Sequence, residues 1–297
     1  MSGRHNGTHS KINMTTLQLG FKAFDPHELL CHFIAHEAGL YKREKLNIEL
    51  IDITFIPDTE LPESLFQASC GAALASAIKG IPQRVIFVAT DRPMFWIYSS
   101  SSLASLQDLS NTKIATFPVV APPHHLANII LNKAGINVEQ SVELLAARDD
   151  AARFGLLKSG SVDAAVISSA IAPAKIEQSG LNKLCFFGDE IRIPTTGLAI
   201  AQSFLDKERQ LAMSFVNILK EGLSIIHNDP DFIALVLNKY FDVDDSFKNE
   251  TAKLYQKYYT EDGRCSEEIA QKAIDALCVS FSISPAPAWD AIYLFPE

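Results

Sequence analysis

Two pairs of histidines are the residues of this chain whose type and spacing most directly suggest chemistry. His32 and His36 are four residues apart, a spacing that on a helix lets two imidazoles bind one metal ion. The sequence supplies no third ligand of known position, so we expect no metal and interpret the pair as solvated or core histidines. His124 and His125 are adjacent and precede an apolar helical pattern. At the positive end of a helix an imidazole stays neutral, which suits contact with a polar ligand; plain helix capping is the alternative.

Acidic, basic and aromatic side chains add further candidates. Asp25 precedes Pro26, the pattern of a helix N-cap with proline at the first helical position, and we interpret it as a cap rather than a catalytic acid. Arg148 follows a predicted strand, where its guanidinium could bind a carboxylate or sulfonate, or pair with the two aspartates that follow it. Trp96 and Phe117 could stack on a ligand ring or pack in the core. No serine–histidine–aspartate spacing and no Walker motif is present.

The stretch from Lys113 to Gly135 indicates how such residues are positioned. A short β-favouring run, Ile114–Phe117, leads into a loop with three prolines, and a helical pattern follows His125 until Gly135 stops it. A strand that feeds a helix through such a loop leaves free backbone N–H groups at the helix N-terminus. That end can hold an anion or a polar ligand. The loop lacks the glycines of a phosphate cradle, so no nucleotide is implied.

The same strand–loop–helix plan recurs along the chain and predicts an α/β fold of parallel units with right-handed crossovers. We expect a helical segment from Ser64 to Gly80, and a strand at 95–98 that leaves the first lobe and crosses to the second. Amphipathic helices are predicted from Leu205 to about Cys278. The other predicted strands are Leu17–Phe21, Ile48–Ile53, Val85–Ala89, Val142–Leu145, Asp163–Ser168, Leu184–Phe187 and Leu198–Ile200.

Size and composition bound the class of protein. A chain of 297 residues suggests about two domains, and a net charge of −9 argues against a nucleic-acid surface. No run of about 18 apolar residues predicts insertion into a membrane. The polar start, residues 1–13, is interpreted as a disordered arm rather than a secretory signal. The five scattered cysteines lack a CxxC pair, which favours reduced thiols. We therefore expect a cytoplasmic protein, or a periplasmic one if a signal has been removed.

Three segments, in this order, resemble a known family. They are KGIPQRVIFVATDRP, LASLQDLSNTKIAT and LLKSGSVDAAVISSAIAPAKIEQSG. Each is similar to a segment of the nitrate/sulfonate/taurine-type solute-binding proteins of ABC transporters, a periplasmic binding protein-like family that also includes the thiamine-pyrimidine synthase proteins. The resemblance extends from about Leu17 to Cys278, nearly the whole chain.

The resemblance implies a type II two-lobed fold, in which each lobe is a mostly parallel sheet flanked by helices. Lobe 1 would comprise 14–98 and 198–297 with the C-terminal helices, and lobe 2 would comprise 99–197. The two crossing segments of the hinge would lie at Tyr98–Ser102 and Pro194–Gly197. The residues expected to contact a ligand between the lobes are Phe24, Asp25, Ser69, Phe117, Pro118, His124, His125 and Thr196.

The function implied by the resemblance is binding of a small anionic or heteroaromatic molecule, with closure of the lobes around it. The expected partners are that small molecule and, in addition, a transporter or another protein. An enzyme on the same scaffold, such as a decarboxylase, a lyase or a cofactor-biosynthesis enzyme acting on a small carboxylate or pyrimidine, is the first alternative, and a ligand sensor is the second. The cysteine-rich iron motif of the thiamine-pyrimidine synthases is missing, so their reaction is not carried over and no cofactor is expected.

Overall fold

The computed structural model describes residues 14–119, 121–147 and 149–295 of the chain. The predicted arm at 1–13 and Arg148 lie outside these ranges. The described residues form ten strands: β1 (Thr15–Phe21), β2 (Leu46–Asp52), β3 (Leu65–Gln67), β4 (Gln83–Thr90), β5 (Phe95–Ser99), β6 (Thr112–Thr116), β7 (Val142–Ala146), β8 (Ala164–Ser168), β9 (Asn182–Phe186) and β10 (Thr196–Ala201).

Helices lie between these strands and form the C-terminal part of the chain. Within the described ranges, no helix combines the length and apolarity needed to cross a membrane. The α-helices are α1 (Pro26–Glu37), α2 (Leu40–Arg43), α3 (Cys70–Ile78), α4 (Pro122–Lys133), α5 (Val138–Ser141), α6 (Asp150–Lys158), α7 (Pro173–Glu177), α8 (Phe187–Glu190), α9 (Gln202–Lys207), α10 (Arg209–Asn228), α11 (Pro230–Phe241), α12 (Lys248–Tyr258) and α13 (Glu267–Phe281).

The strands form two five-stranded sheets with the same plan. Their orders are β2-β1-β3-β10-β4 and β7-β6-β8-β5-β9. β1 runs parallel to both of its neighbours, as does β6, whereas β10 and β5 run antiparallel to theirs. The second sheet is formed by β5 to β9, and β10 returns to the first sheet, so the chain crosses twice between the sheets and each antiparallel strand is the first strand after a crossing. The predicted two-lobed α/β fold with two crossing segments is confirmed.

The first crossing lies at a different place from the one that the sequence predicts. Tyr98 and Ser99 pair with Ala165 and Ala164 of β8, so β5 belongs to the second sheet along its whole length. The chain therefore crosses at 91–94 and not at Tyr98–Ser102. The aromatic run marked the strand but not which sheet it would join. The lobe division at 98/99 and 197/198 remains a prediction, and strand pairing favours boundaries just before β5 and β10.

A second difference concerns the segment after Ser64, which the sequence predicts to be helical. Its first residues form β3, which pairs with β1 in parallel, and α3 begins only at Cys70. All three residues of β3 are buried. A three-residue strand is too short to show a period-two pattern, and its neighbours in the sheet provide the hydrogen bonds that decide its conformation.

The C-terminal helices pack against the first sheet and fix α1. The long helix predicted from Leu205 exists but is divided between α9 and α10 at Glu208. α10 buries an apolar face that includes Phe215 and Leu223. Its Gly222 lies against α1, where an added Cβ would come within 3.2 Å of the Cys31 carbonyl oxygen. A glycine at this position allows α10 and α1 to pack closely at Cys31, in the middle of α1.

Candidate functional site

The N-terminal end of α1 forms the lobe 1 wall of the cleft. Asp25 is the N-cap, as predicted, and its carboxylate accepts a hydrogen bond of 2.9 Å from the backbone N–H of Glu28. The Glu28 carboxylate in turn accepts from the N–H groups of Lys22 at 2.7 Å and Ala23 at 3.0 Å. These bonds fix the loop after β1 and hold two carboxyl groups next to each other. Phe24, within this loop, remains 52% exposed.

Both carboxyl groups are harder to ionise than usual. Burial raises the pKa of Asp25 to about 7, against the stabilising N–H of Glu28, and the charge of Asp150 raises it further. Burial, followed by the charge of Asp25, raises the pKa of Glu28 to about 8. Because Asp150 belongs to α6 on the second sheet, its influence on Asp25 means that the two walls bring acidic groups close to each other.

Asp150 and Arg153 form the lobe 2 wall. The Asp150 carboxylate accepts from the Ser168 N–H at 2.7 Å, the Ser168 hydroxyl at 2.8 Å and the Arg153 guanidinium at 2.5 Å. Arg153 is completely buried and also donates to the carbonyl oxygens of Val166 and Ala147, at 2.7 and 2.5 Å. One ion pair therefore joins α6 to the carboxyl ends of β7 and β8.

The same guanidinium covers an aromatic ring of the cleft. Its central carbon lies 3.6 Å from the ring centroid of Phe117, the residue after β6. Phe117 meets Phe95 edge to face at a centroid distance of 5.4 Å. Phe117 and the following Pro118 are half-buried. Arg153 thus fixes the orientation of a ring that can stack against a flat ligand.

The two predicted histidines at α4 have different environments. His124 is buried, and its Nδ1–H donates to the Phe117 carbonyl oxygen at 3.2 Å, while Nε2 accepts from the Asn128 amide at 3.3 Å. Burial lowers the pKa of His124, outweighing that carbonyl, so the ring is neutral. His125 is half-buried and lies edge to face with His124. Nδ1 of His124 therefore connects α4 to the loop after β6, Nε2 bonds within α4, and ligand contact by either histidine remains a prediction.

His27 lies where α1 meets the two crossing segments. Its Nε2 is 2.9 Å from the Thr195 hydroxyl, and its ring meets Phe95 edge to face at 5.7 Å. Burial lowers the pKa of His27 to about 3, so the imidazole is neutral. The crossings are also tied together directly, because Arg192 forms an ion pair with the buried Asp91. These contacts define the connection between the lobes.

Four buried hydroxyl groups of the described cleft lack a hydrogen-bond partner. They belong to Thr116 at the end of β6, Ser169 after β8, Thr196 at the start of β10 and Tyr255 of α12. The Tyr255 hydroxyl faces Ser169 without forming an ordinary hydrogen bond, and burial raises the pKa of Tyr255 well above its usual value. Buried hydroxyls normally have partners, so this set indicates a place where a bound molecule supplies them.

Only some of these groups were indicated by the sequence. Asp25 lies at the N-terminus of α1, Phe117 directly after β6 and Thr196 at the start of β10, and their contact with a ligand remains a prediction. Ser69 is a half-buried N-cap of α3 without a side-chain bond. The groups that sequence analysis missed are Thr116, Asp150, Arg153, Ser169 and Tyr255. The position of Thr116 and Ser169 at strand ends could have marked them. Nothing local marks Tyr255, which reaches the cleft from a C-terminal helix.

The contacts of His32 and His36 are with neighbouring side chains of the protein. The Nδ1 of His32 is 3.0 Å from the Tyr41 hydroxyl, and the two imidazole centroids are 6.3 Å apart. Burial lowers the pKa of His32 to about 3. Within the described ranges, no group of three or more histidine, cysteine, aspartate or glutamate side chains is arranged to hold a metal ion.

Two sheets of the same strand order, joined by two crossings and each with an antiparallel strand directly after a crossing, define a two-lobed fold of the periplasmic binding protein type. The chain belongs to the NMT1/THI5-like family, whose model matches residues 28–233. This match extends the resemblance seen in the three sequence segments and confirms it. No curated protein matches the chain in sequence.

Solved structures show the same fold over nearly the whole chain. A protein of Bordetella bronchiseptica RB50 has a TM-score of 0.75 at 19% identity and covers 95% of each chain. The ligand-binding component of an ABC-type import system from Staphylococcus aureus has a TM-score of 0.73 at 13% identity, with 95% of this chain and 97% of that one covered. The periplasmic aliphatic sulphonate-binding protein SsuA of Escherichia coli has a TM-score of 0.73 at 15% identity, covering 95% and 92%. These likenesses show the fold.

Proposed function

We propose that the protein binds a small heteroaromatic molecule with an amino group between its lobes, and that the lobes close around it by a hinge. The observation that carries this proposal is the placement of buried polar groups on both lobes: Asp25 at the N-terminus of α1 in lobe 1, Asp150 at the start of α6 in lobe 2, and four buried hydroxyls without partners among the described residues, at strand ends and on α12. A ligand that donates hydrogen bonds to both walls would hold the lobes together. Its binding energy would then favour the closed state.

The charges of the cleft favour a heteroaromatic ligand over an anionic one. Asp25, Glu28 and Asp150 are the acidic groups at the site. Among the described residues, the nearby cations already have partners: Arg153 pairs with Asp150, and Lys22 forms an ion pair of 2.9 Å with Asp58. A sulfonate or carboxylate placed beside Asp25 would add a like charge in a buried site, which is unfavourable.

An aminated nitrogen heterocycle matches the carboxyl group of Asp25 in particular. Since the pKa of Asp25 is raised to about 7, this group exchanges a proton close to neutral pH. A ring nitrogen and a neighbouring amino group can bind such a carboxyl through two hydrogen bonds, with one proton shared between ring and acid. The ring of Phe117, fixed by Arg153, offers a face for stacking.

A transporter is the protein partner that fits this function. Two of the similar structures are a component of an ABC-type import system and a periplasmic binding protein. A binding protein that delivers to an importer acts outside the cytoplasmic membrane, so this partner goes with a periplasmic location. The cytoplasmic location expected from the sequence has no support among these structures.

Calorimetric titration with 4-aminopyrimidine and with ethanesulfonate tests the ligand class. We expect the aminopyrimidine to bind more tightly than the sulfonate, and Asp25→Asn to weaken it by about 10-fold, the loss of one charge-assisted hydrogen bond. Asp229→Asn is the matched control, because Asp229 is also a helix N-cap but lies at α11. Tighter binding of the sulfonate, or equal effects of the two variants, would contradict the proposal.

A further inference from the structure

Exposed apolar side chains gather at the same edge of both sheets. Four of the large apolar residues that are exposed lie at or just beyond the carboxyl ends of β1, β2, β6 and β7. They are Phe24, Phe55, Val119 and Leu145, with exposed fractions of 52%, 78%, 62% and 38%. Exposed apolar residues are ordinary when scattered, but a group at one edge in both lobes marks a contact surface.

The sheet orders place part of this group away from the crossings. In each sheet the antiparallel strand that follows a crossing lies second from one end, and β2 or β7 is the outermost strand at the opposite end. Phe55 and Leu145 therefore lie at the part of each carboxyl edge farthest from the crossings. The loops after β1 and β6 lie closer in, since His27 of α1 contacts Thr195 and Phe95, and Phe117 contacts Phe95. We call Phe24, Phe55, Val119 and Leu145 the apolar rim.

The apolar rim is continuous with the polar floor of the site. Phe24 immediately precedes Asp25, and Val119 follows Phe117 by two residues. Phe24 is also held in place, since its ring contacts those of Phe21, Phe33 and Phe241 at centroid distances of 5.6, 5.8 and 5.8 Å. A fixed, half-exposed ring beside a buried carboxyl presents an apolar surface that loses little entropy on binding.

We infer that the ligand is amphipathic, with its polar heteroaromatic part among Asp25, Asp150 and the hydroxyl groups and an apolar substituent lying against the apolar rim. This inference rests on the proposed function and names the ligand class more closely. The continuity of rim and floor favours one ligand that contacts both over a second copy of the chain or a separate protein at the rim.

The test compares the affinities of 4-aminopyrimidine and its n-propyl and n-hexyl derivatives for the full chain. Each buried methylene is expected to raise affinity by up to about 4-fold. The hexyl derivative should bind the wild-type protein at least about 10-fold more tightly than the parent compound.

Phe55→Ala and Val119→Ala should each reduce this ratio of the hexyl affinity to the parent affinity about 3-fold. Both side chains are mostly exposed, so these variants should fold. Val279→Ala is the matched control, because Val279 is 81% exposed on α13, and it should leave the ratio unchanged.

The outcomes separate this inference from the proposed function. A ratio near one in the wild-type protein, or an equal ratio in the rim and control variants, would overturn the amphipathic ligand while leaving aminopyrimidine binding intact.

If no aminopyrimidine binds, the proposed function fails, and titration with the fluorescent apolar probe anilinonaphthalene sulfonate tests the rim alone. Weaker probe binding by Phe55→Ala and Val119→Ala than by Val279→Ala would support an apolar binding surface, and equal binding would overturn it. Dissociation of a dimer by the rim variants in size-exclusion chromatography would assign the rim to a second copy instead.

Discussion

The acidic groups on the two walls of the cleft are held in different ways, although the sheets behind them share one strand order. In lobe 2, Asp150 has the buried guanidinium of Arg153 and two donors from Ser168. In lobe 1, Asp25 accepts from the Glu28 N–H, and among the described residues no basic side chain forms an ion pair with it. The charge of Asp150 is therefore compensated within its own lobe, whereas Asp25 has no such cation among these residues and its pKa is raised.

The two walls of the cleft therefore differ in how the charge of their acidic group is compensated. In lobe 2 the charge of Asp150 is compensated without a ligand, because Arg153 bonds Asp150 and the carbonyl oxygens of Ala147 and Val166. The buried hydroxyls of Thr116 and Ser169 in the same lobe still lack a partner within the described ranges. In the described part of lobe 1, Asp25 is a buried acid without a cation, a state that costs stability in the free protein. We therefore expect Asp25, rather than Asp150, to respond to a ligand that donates a hydrogen bond.

Removing Arg153 should have the largest effect, because it removes the cation that compensates Asp150 and the donor that holds the lobe 2 wall together. Arg153→Met leaves the Asp150 carboxylate without its cation and removes the guanidinium donor from two buried carbonyl oxygens, which should lower the free energy of unfolding by about 3–5 kcal/mol in urea denaturation. Lys133→Met is the control: it breaks an exposed ion pair with Glu190 and should cost less than about 1 kcal/mol. Adding Asp150→Asn to Arg153→Met should recover part of the loss. A loss equal to that of the control would show that lobe 2 does not depend on this pair.

Replacing Asp25 tests the uncompensated wall through its pH dependence. A carboxyl whose pKa is raised from 3.8 to about 7 holds its proton more tightly in the folded state, so stability falls as pH rises between those values. Asp25→Asn keeps an N-cap but removes this loss. Relative to the wild-type protein it should therefore gain stability progressively from about pH 4 to pH 7, on the order of 2–4 kcal/mol at the upper end.

Thermal unfolding of both proteins across this pH range measures the effect, and Asp229→Asn is the control at an exposed N-cap. His27 and Glu28 are present in both proteins, so the difference between the curves reports Asp25 together with its effect on the pKa of Glu28. A wild-type curve parallel to that of Asp25→Asn would mean that Asp25 ionises normally, and the proposed contrast between the lobes would be lost.

The sequence predicted most elements of the fold because their signals are local. Asp25 followed by Pro26 correctly indicated the start of α1, and the alternation of strands and helices indicated two parallel sheets. The errors concern pairing. β3 is formed because β1 lies beside it, and β5 joins the second sheet through its contacts with β8 and β9. Hydrophobic periodicity contains no information about which sheet a strand joins.

The site was less predictable because its main groups contradict ordinary expectations for their residue types. An arginine on a helix with a polar composition is expected at the surface, yet Arg153 is fully buried by contacts with three strand ends. Tyr255 reaches the cleft from a helix more than two hundred residues after Asp25 in sequence. Only tertiary packing brings such residues together, and a single sequence does not encode it in a readable pattern.

Replacing His124 or His125 with alanine should give the smallest effects. These variants compare how the loop after β6 and the loop after β1 are held in place. His124 does for the loop after β6 what Glu28 does for the loop after β1: it bonds the backbone of the loop, here at the Phe117 carbonyl oxygen. His124→Ala should therefore cost about 1 kcal/mol of stability, and His125→Ala less, as measured in urea. The loosened Phe117 ring should also weaken binding of 4-aminopyrimidine several-fold. If His124→Ala weakens binding without any loss of stability, the imidazole contacts the ligand directly. If neither variant changes stability or binding, the loop after β6 needs no such support, and the likeness of the two loops does not extend beyond their position in the fold.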